Sequence, residues 1–211
     1  AFRDSPVGTL RFNAPRHAAE HVLGPLANRF LLANPGMRIE IVADDAFVDI
    51  IQGGFDAGVR FGESLDRDMV AIPLGPPQRF VVVGSPAYLK QAGRPSDPRE
   101  LNRHRCIRIR FPSGARYRWE FEKAGEKLEV DVAGPLEVGE MPLMLRAAED
   151  GLGLAYVYAE TARASLSAGR LETVLDDWRP PEAGFFLYYP SRRLPPAGLQ
   201  KFIELVKESR T

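Results

Sequence analysis

The sequence predicts an α/β protein in two lobes, in which the chain leaves the first lobe, builds the second and returns to finish the first. Three observations carry that expectation. Strand-like and helix-like stretches alternate from Thr9 onward with short links, the pattern of parallel strands with helices on their faces. Phe80-Val81-Val82-Val83 is almost wholly apolar, as a buried strand is, and marks the first crossing between lobes. A last strand at residues 185–190, followed by Ser191-Arg192-Arg193 and a helical run at 199–207, reads as the closing piece of the first unit rather than a third. Two lobes joined by two strands form a hinged clamp around a small molecule.

In the first lobe, residues 9–13 alternate Leu10 and Phe12 with Arg11, as a strand does. Pro15 opens a helical stretch to about Ala33. Pro25 lies inside it without an N–H, so it kinks the helix or restarts it at a first-turn position. Asn34-Pro35-Gly36 ends that element, and residues 38–43 alternate as a second strand. Asp44 and Asp45 are natural N-caps for a helix holding Phe47, Val48, Ile50 and Ile51, which Gly53-Gly54 stops. Residues 57–61 make a third strand. Residues 69–74 and 79–84 are two more, separated by a break at Gly75-Pro76-Pro77.

The second lobe opens at Ser85-Pro86, a cap and a helix-start proline before a helix at 87–91. Residues 95–101 read as a loop with a short helix and 106–110 as a strand. A hairpin at 117–122 and 127–132 turns about Ala124-Gly125. A strand at 135–138 leads through Gly139-Glu140 into a helix at 141–149, ended by Asp150-Gly151. Residues 153–158 are again a strand and 161–168 a helix ended by Gly169. The chain from Arg170 past Trp178 and Pro180-Pro181 is read as connection to the return strand. The expected division is residues 1–80 plus 184–211 for the first lobe and 81–183 for the second.

Charge narrows the function classes. Lys+Arg and Asp+Glu are each 28, for a net charge of zero, whereas a segment gripping nucleic acid needs a basic excess to neutralise phosphates. One cysteine, Cys106, allows no internal disulfide and suits a reducing cytoplasm. No apolar run approaches the ~20 residues of a membrane span, and the N-terminus lacks a signal-peptide layout. The abrupt start, without an initiator Met, reads as an excised domain.

Three candidate chemistries are weighed against plainer readings. His17-Ala18-Ala19-Glu20-His21 has the H-x-x-E-H form of inverted zinc peptidases, with two imidazoles on one helix face and a glutamate to polarise water. Pro15 and Pro25 leave it barely two turns of helix, so an ordinary helix outweighs zinc. Cys106 with His104 offers a nucleophile pair, yet no third orienting group is evident and a packed core thiol is the better reading. Arg105, Arg108, Arg110, Arg116 and Arg118, interleaved with Phe111, Tyr117 and Trp119, resemble a nucleic-acid face, but zero net charge favours a solvated face with one cleft arginine. Ser113-Gly114 and the other glycine pairs match no phosphate loop.

Several stretches together resemble LysR-type transcriptional regulators. Asp45 through Gly62 (DAFVDIIQGGFDAGVRFG) is similar to that family's "D…VDLVAEGFDLAIRIG", and Ser85-Pro86-Ala87-Tyr88-Leu89 to its "SPAYL". His104-Arg105-Cys106 and Trp119-Glu120-Phe121 match "H-x-C" and "W-x-F". Ala147 through Leu154 resembles "AALAGLGI", Gly169-Arg170-Leu171 with Asp177-Trp178 resembles "GRLVPVLPDW", and Tyr189 through Arg193 resembles "YPSRR". The pieces span nearly the whole chain, in order. The resemblance implies the effector-binding domain of such a regulator, with two Rossmann-like lobes as in type 2 periplasmic binding proteins. It implies a non-enzymatic protein without a cofactor, a homodimer here and a tetramer in the full-length regulator. DNA binding then belongs to an N-terminal winged helix-turn-helix absent from this chain. A free-standing solute-binding protein shares the fold and stands as the alternative.

The ligand position follows from sheet geometry. Ligands of open parallel sheets lie beyond the carboxyl ends of strands, where helix N-termini present free N–H groups. In the first lobe those ends are Ala14, Pro15 and Arg16, then Asp44, then Phe61. In the second they are Arg110 and Phe111, Glu140 and Met141, then Val157 and Tyr158. By analogy with the family the effector pocket lies between the lobes at these positions. Arg16 and Arg110 suit a carboxylate, whereas Phe61, Phe111, Met141 and Tyr158 suit an apolar or aromatic body. Asp44 reads more readily as a helix cap.

Overall fold

A computed structural model describes residues 6–46, 48–61, 68–110, 117–179, 182–191 and 194–210. Phe47, Gly62, Phe111, Ser113, Gly114, Arg116, Pro180, Pro181, Arg192 and Arg193, all invoked above, lie outside the described residues. The chain divides into two compact units, Ala1–Pro77 with Ala183–Thr211 and Gln78–Glu182.

Strand β1 (Gly8–Ala14) enters a helix of three segments, α1 (Arg16–Ala18), a wide π turn (Ala19–Leu23) and α2 (Gly24–Ala33). Pro25 accounts for the wide turn. Its ring would press on the carbonyl four residues back, and it has no N–H to give. The helix widens just before it, so that the Gly24 N–H reaches the Ala19 carbonyl five residues back. The helix neither breaks nor restarts. Strands β2 (Met37–Ala43) and β3 (Ala57–Phe61) follow, each parallel to β1, with Ala14 opposite Ala43 and Phe12 opposite Ala57.

The helix expected after Asp44 and Asp45 does not form among the described residues. Asp44 Oδ1 accepts from the Ala46 N–H at 2.9 Å, and Asp49 Oδ1 accepts from Ile51 and Gln52 N–H at 2.9 and 3.1 Å. These carboxylates serve turns instead of a helix, a competition Asp habitually wins beside glycines. Among the described residues of this segment only Ile50 is buried, at 1% exposed, whereas Ile51 is 57% exposed, and a turn suffices.

The break expected at Gly75-Pro76-Pro77 is also absent. Strand β4 (Met69–Gln78) runs through it at the edge of the sheet, where proline's missing N–H leaves no ladder bond unmade. Gly75 takes a φ of +68°, and a side chain there would meet Val22 at 2.5 Å.

Unit 2 begins with β5 (Phe80–Gly84) and α3 (Pro86–Ala92), which Ser85 caps by accepting from the Tyr88 N–H at 3.1 Å. A short 3₁₀ turn (Pro98–Arg103) precedes β6 (Arg108–Ile109), shorter than the sequence implies. The hairpin of β7 (Trp119–Lys123) and β8 (Glu126–Val130) turns where expected, with Ala124 and Gly125 at φ of 50° and 84°. Then come β9 (Glu137–Val138), α4 (Met141–Glu149), β10 (Ala155–Tyr158) and α5 (Ala159–Ser167). Strand β11 (Glu172–Val174) lies where the sequence reads as connection. Strands β10 and β11 both pair antiparallel with β5, while β6 pairs parallel with β9 and Cys106 bridges Leu154 in parallel. Residues alternate between two cores, as a strand period of two requires. Val82, Tyr156 and Val174 face one with Trp119, Phe121 and Trp178; Val81, Val83 and Val157 face the other with Ile107, Met144 and Ala148.

The chain then returns. Strand β12 (Ala183–Pro190) pairs antiparallel with β3, Phe185 opposite Phe61 and Tyr188 opposite Gly58, and completes the order β2-β1-β3-β12-β4. Helix α6 (Ala197–Glu208) sets Phe202 against Phe12 and Phe30, with ring centroids 4.9 and 5.3 Å apart. The last strand thus belongs to the sheet that the first strand began.

Candidate functional site

In unit 1 the parallel strands β1 and β2 end level at Ala14 and Ala43, and β3 runs two residues further, to Phe61. Ala14 is fully buried, so its side chain is core. Pro15 stands at the cap position of α1 in extended conformation and donates nothing. The next N–H, that of Arg16, donates to Asp45 Oδ1 at 2.9 Å, and Arg16 Nε lies 3.8 Å from Asp45 Oδ2. The helix start and the arginine expected to receive a ligand carboxylate therefore already hold one from the chain itself. Asp44, named from sequence, closes a turn and takes its own N–H to the Ala14 carbonyl at 2.9 Å. Phe61 packs on Phe185, centroids 4.4 Å apart, and His17 stands 6.1 Å from Phe185.

In unit 2 the corresponding ends are those of β6, β9 and β10. The Arg110 N–H donates to the Val138 carbonyl at 2.8 Å, and Arg110 Nε meets Glu137 Oε1 at 2.6 Å. Arg108 Nη2 reaches the other oxygen of Glu137 at 3.4 Å, and among the described residues the buried Arg108 Nε has no acceptor. Among the described residues two guanidiniums thus converge on one carboxylate, which leaves donors in excess. Glu140 stands at the start of α4 without a side-chain cap bond. Met141 Sδ accepts from the Tyr158 N–H at 3.4 Å and ties that helix start to the end of β10. Tyr158 packs on Phe80 at 4.3 Å, whereas Val157 is fully buried and its side chain belongs to the core.

Sequence reasoning missed Asp45, Phe185, Phe80 and Glu137 at these ends. Phe80 opens β5 and Phe185 lies near the start of β12, strands that run antiparallel to their neighbours, so their starts lie beside the others' finishes. The signal was available: a returning strand places its beginning, not its end, at the ligand edge. Asp45 was recognised as a cap but assigned to a helix that does not form.

The other candidate chemistries resolve locally. The His17 and His21 rings lie 4.6 Å apart, tilted by 41°, and His21 Nε2 lies 3.8 Å from Glu20 Oε2, yet among the described residues no three His, Cys, Asp or Glu side chains cluster to hold a metal. Cys106 is fully buried, burial pushes its thiol up to about 12, and its sulfur lies 3.9 Å from the Leu101 and His104 carbonyls. The His104 ring turns instead to Tyr88, Nδ1 to Oη at 3.0 Å. Such a thiol is not an activated nucleophile. Arg105 is spent on the Leu152 carbonyl at 2.7 Å and lies 5.3 Å over the Tyr88 ring.

The model of the LysR substrate binding domain family matches residues 3–211. The chain belongs to that family. It is 39% identical over 206 residues to the uncharacterized HTH-type transcriptional regulator YcaN of Escherichia coli K12, covering 98% of this chain and 67% of that protein. It is 34% identical to the HTH-type transcriptional regulator PgrR of the same organism, covering 97% and 69%. The chain thus spans about two thirds of the length of these relatives. In fold it is similar to the CrgA regulatory domain of Neisseria meningitidis, with a TM-score of 0.79 at 24% identity, covering 96% of this chain and 99% of that one. It is also similar to the full-length virulence activator AphB of Vibrio cholerae, at a TM-score of 0.83 and 22% identity, covering 99% and 70%. The expected fold, two α/β lobes of the type 2 binding-protein kind, therefore holds, and the chain is the effector-binding regulatory domain of a LysR-type regulator. The family consists of transcriptional regulators. Among the described residues no helix is long and apolar enough to cross a membrane.

Proposed function

We propose that this domain senses a small organic carboxylate with an apolar or aromatic body, held at the strand ends described above. Two arginines sharing Glu137 carry the proposal. Arg110 is half exposed and keeps donors to spare, so it takes the effector carboxylate. Arg16 is matched by Asp45 and does not. Phe61, Met141 and Tyr158 receive the body of the ligand, and Glu140 and the free N–H groups of α4 orient its polar groups. Phe111 completes the set by its place in the sequence.

Binding acts by unequal affinity for two conformations, a coupling that typically amounts to ~1–3 kcal/mol. The domain pairs as a homodimer and, in the full-length regulator, as a tetramer. DNA is bound only through an N-terminal helix-turn-helix segment, in the cytoplasm, with no catalytic step and no cofactor. A thermal-shift screen of small organic acids and aromatic metabolites tests the reading. A ligand at 100-fold its Kd stabilises the domain by about 2.7 kcal/mol. Arg110→Ala is expected to abolish that shift and Arg16→Ala to leave it. Full retention in Arg110→Ala removes the arginine from the site.

A further inference from the structure

We propose a second small-molecule site, formed wholly by unit 2, that takes a small aromatic carboxylate. A cavity of about 230 Å³ opens on the core side of β5 and β11, walled by Phe80, Phe121, Leu175 and Trp178 and rimmed by Arg79 and Arg179. A dry cavity of about 150 Å³ accommodates benzene, so this one admits a ring and a carboxylate. It is too small for the drug-sized ligands that fill roughly 300–1,000 Å³.

Charge selects an anion. Arg79 and Arg179 are exposed at the mouth, and among the described residues neither is in an ion pair; Arg179 Nε donates only to the Asp176 carbonyl at 3.3 Å. The rim's one carboxylate, Asp176, accepts from Thr173 Oγ1 at 2.8 Å. Two cations therefore face one anion that already has a donor. The other cations near Trp178, Arg99 and Lys123, lie 5.9 and 5.5 Å from its ring and are held by carboxylates of their own, Asp97 and Asp177. Leu175, although not glycine, holds a φ of 59° while 6% exposed, a backbone posture that the surrounding wall has to enforce.

Position gives the site a regulatory meaning. Arg79 and Phe80 directly follow Gln78, where the chain enters unit 2, and Trp178 and Arg179 shortly precede Glu182, where it leaves. One ligand grips both stretches. Phe80 also packs on Tyr158, which belongs to the strand ends assigned to the effector, so occupancy of one site biases the other reciprocally.

Phenylacetate is the probe, titrated into the 211-residue chain while the indole N–H resonances are followed. The chain has two tryptophans, and Trp178→Phe assigns them. Trp178 is expected to shift saturably with phenylacetate and not with phenylacetamide. The double variant Arg79→Gln, Arg179→Gln is expected to weaken binding at least tenfold, while Arg110→Ala leaves it unchanged. That last arm separates this site from the effector site, since either can fail alone. No saturable Trp178 shift, an equal response to the amide, or undiminished affinity in the double variant overturns the proposal.

Discussion

Asp45 and Glu137 set the charge that the strand ends present. A carboxylate at the first N–H of α1 does for that helix start what an anionic ligand would do. Asp45→Asn keeps the acceptor and removes the charge, and is expected to tighten binding of a carboxylate effector by about 0.3–1 kcal/mol, read by calorimetry. Unchanged or weaker binding would mean that Asp45 is no competitor. Neither residue's role was legible in the sequence, because Asp45 and Arg16 stand 29 positions apart and meet only once β1 and β2 are paired. Cys106 was legible, because cysteine is among the residue types most often buried. It should resist thiol reagents in the native chain and react only on unfolding; rapid native reaction would contradict its burial. His104 carries a pH dependence. Burial lowers its pKa, against a smaller opposing pull from Glu100. The unfolded chain therefore takes the proton first as pH falls. The stability linked to this group is complete above the ordinary value of about 6.5 and is lost as pH drops through that value toward the depressed one. Urea midpoints measured on acidification should decline less steeply in His104→Gln.

Elements were legible where one local signal dominated. Ser85-Pro86 gave α3 its start, Ala124-Gly125 gave the hairpin its turn, and the helix at 141–149 matches its expected bounds. Elements were misread where two signals compete. Asp44, Asp49 and the Gly53-Gly54 pair can cap a helix or close turns, and the choice fell to turns in a stretch where, among the described residues, only Ile50 is buried. The prolines at 76 and 77 read as a break because a sequence does not reveal that its strand is an edge. Strand β11 was missed because three residues are too few to show alternation. Ala124 is exposed and holds a left-handed φ of 50°, where asparagine is at ease. Ala124→Asn is expected to stabilise the domain by about 1 kcal/mol in chemical denaturation; a loss would contradict the turn. Gly58 lies under the Tyr188 ring of β12, which a Cβ would meet at 2.4 Å. Gly58→Ala should cost about 1–3 kcal/mol if β3 and β12 pair as described, and little if they do not.

At the scale of the molecule, the return of the chain was readable because the last strand and helix lack the partners a third unit would need. In unit 1, β12 lies between β3 and β4, and Phe202 of α6 fills the core beside Phe12 and Phe30. Removing residues 183–211 should therefore unfold the unit that contains the N-terminus, leaving exchange-protected amides only in 78–182. What the sequence could not show is which charges are already matched at the strand ends, since those pairings cross from strand to strand. The central claim is that an effector is held at those ends. Its most direct test is hydrogen–deuterium exchange of the chain with and without a ligand found by thermal shift. Slowed exchange should concentrate at 14–17, 44–46, 110 and 140–142. Protection confined elsewhere, with these segments unchanged, would contradict it.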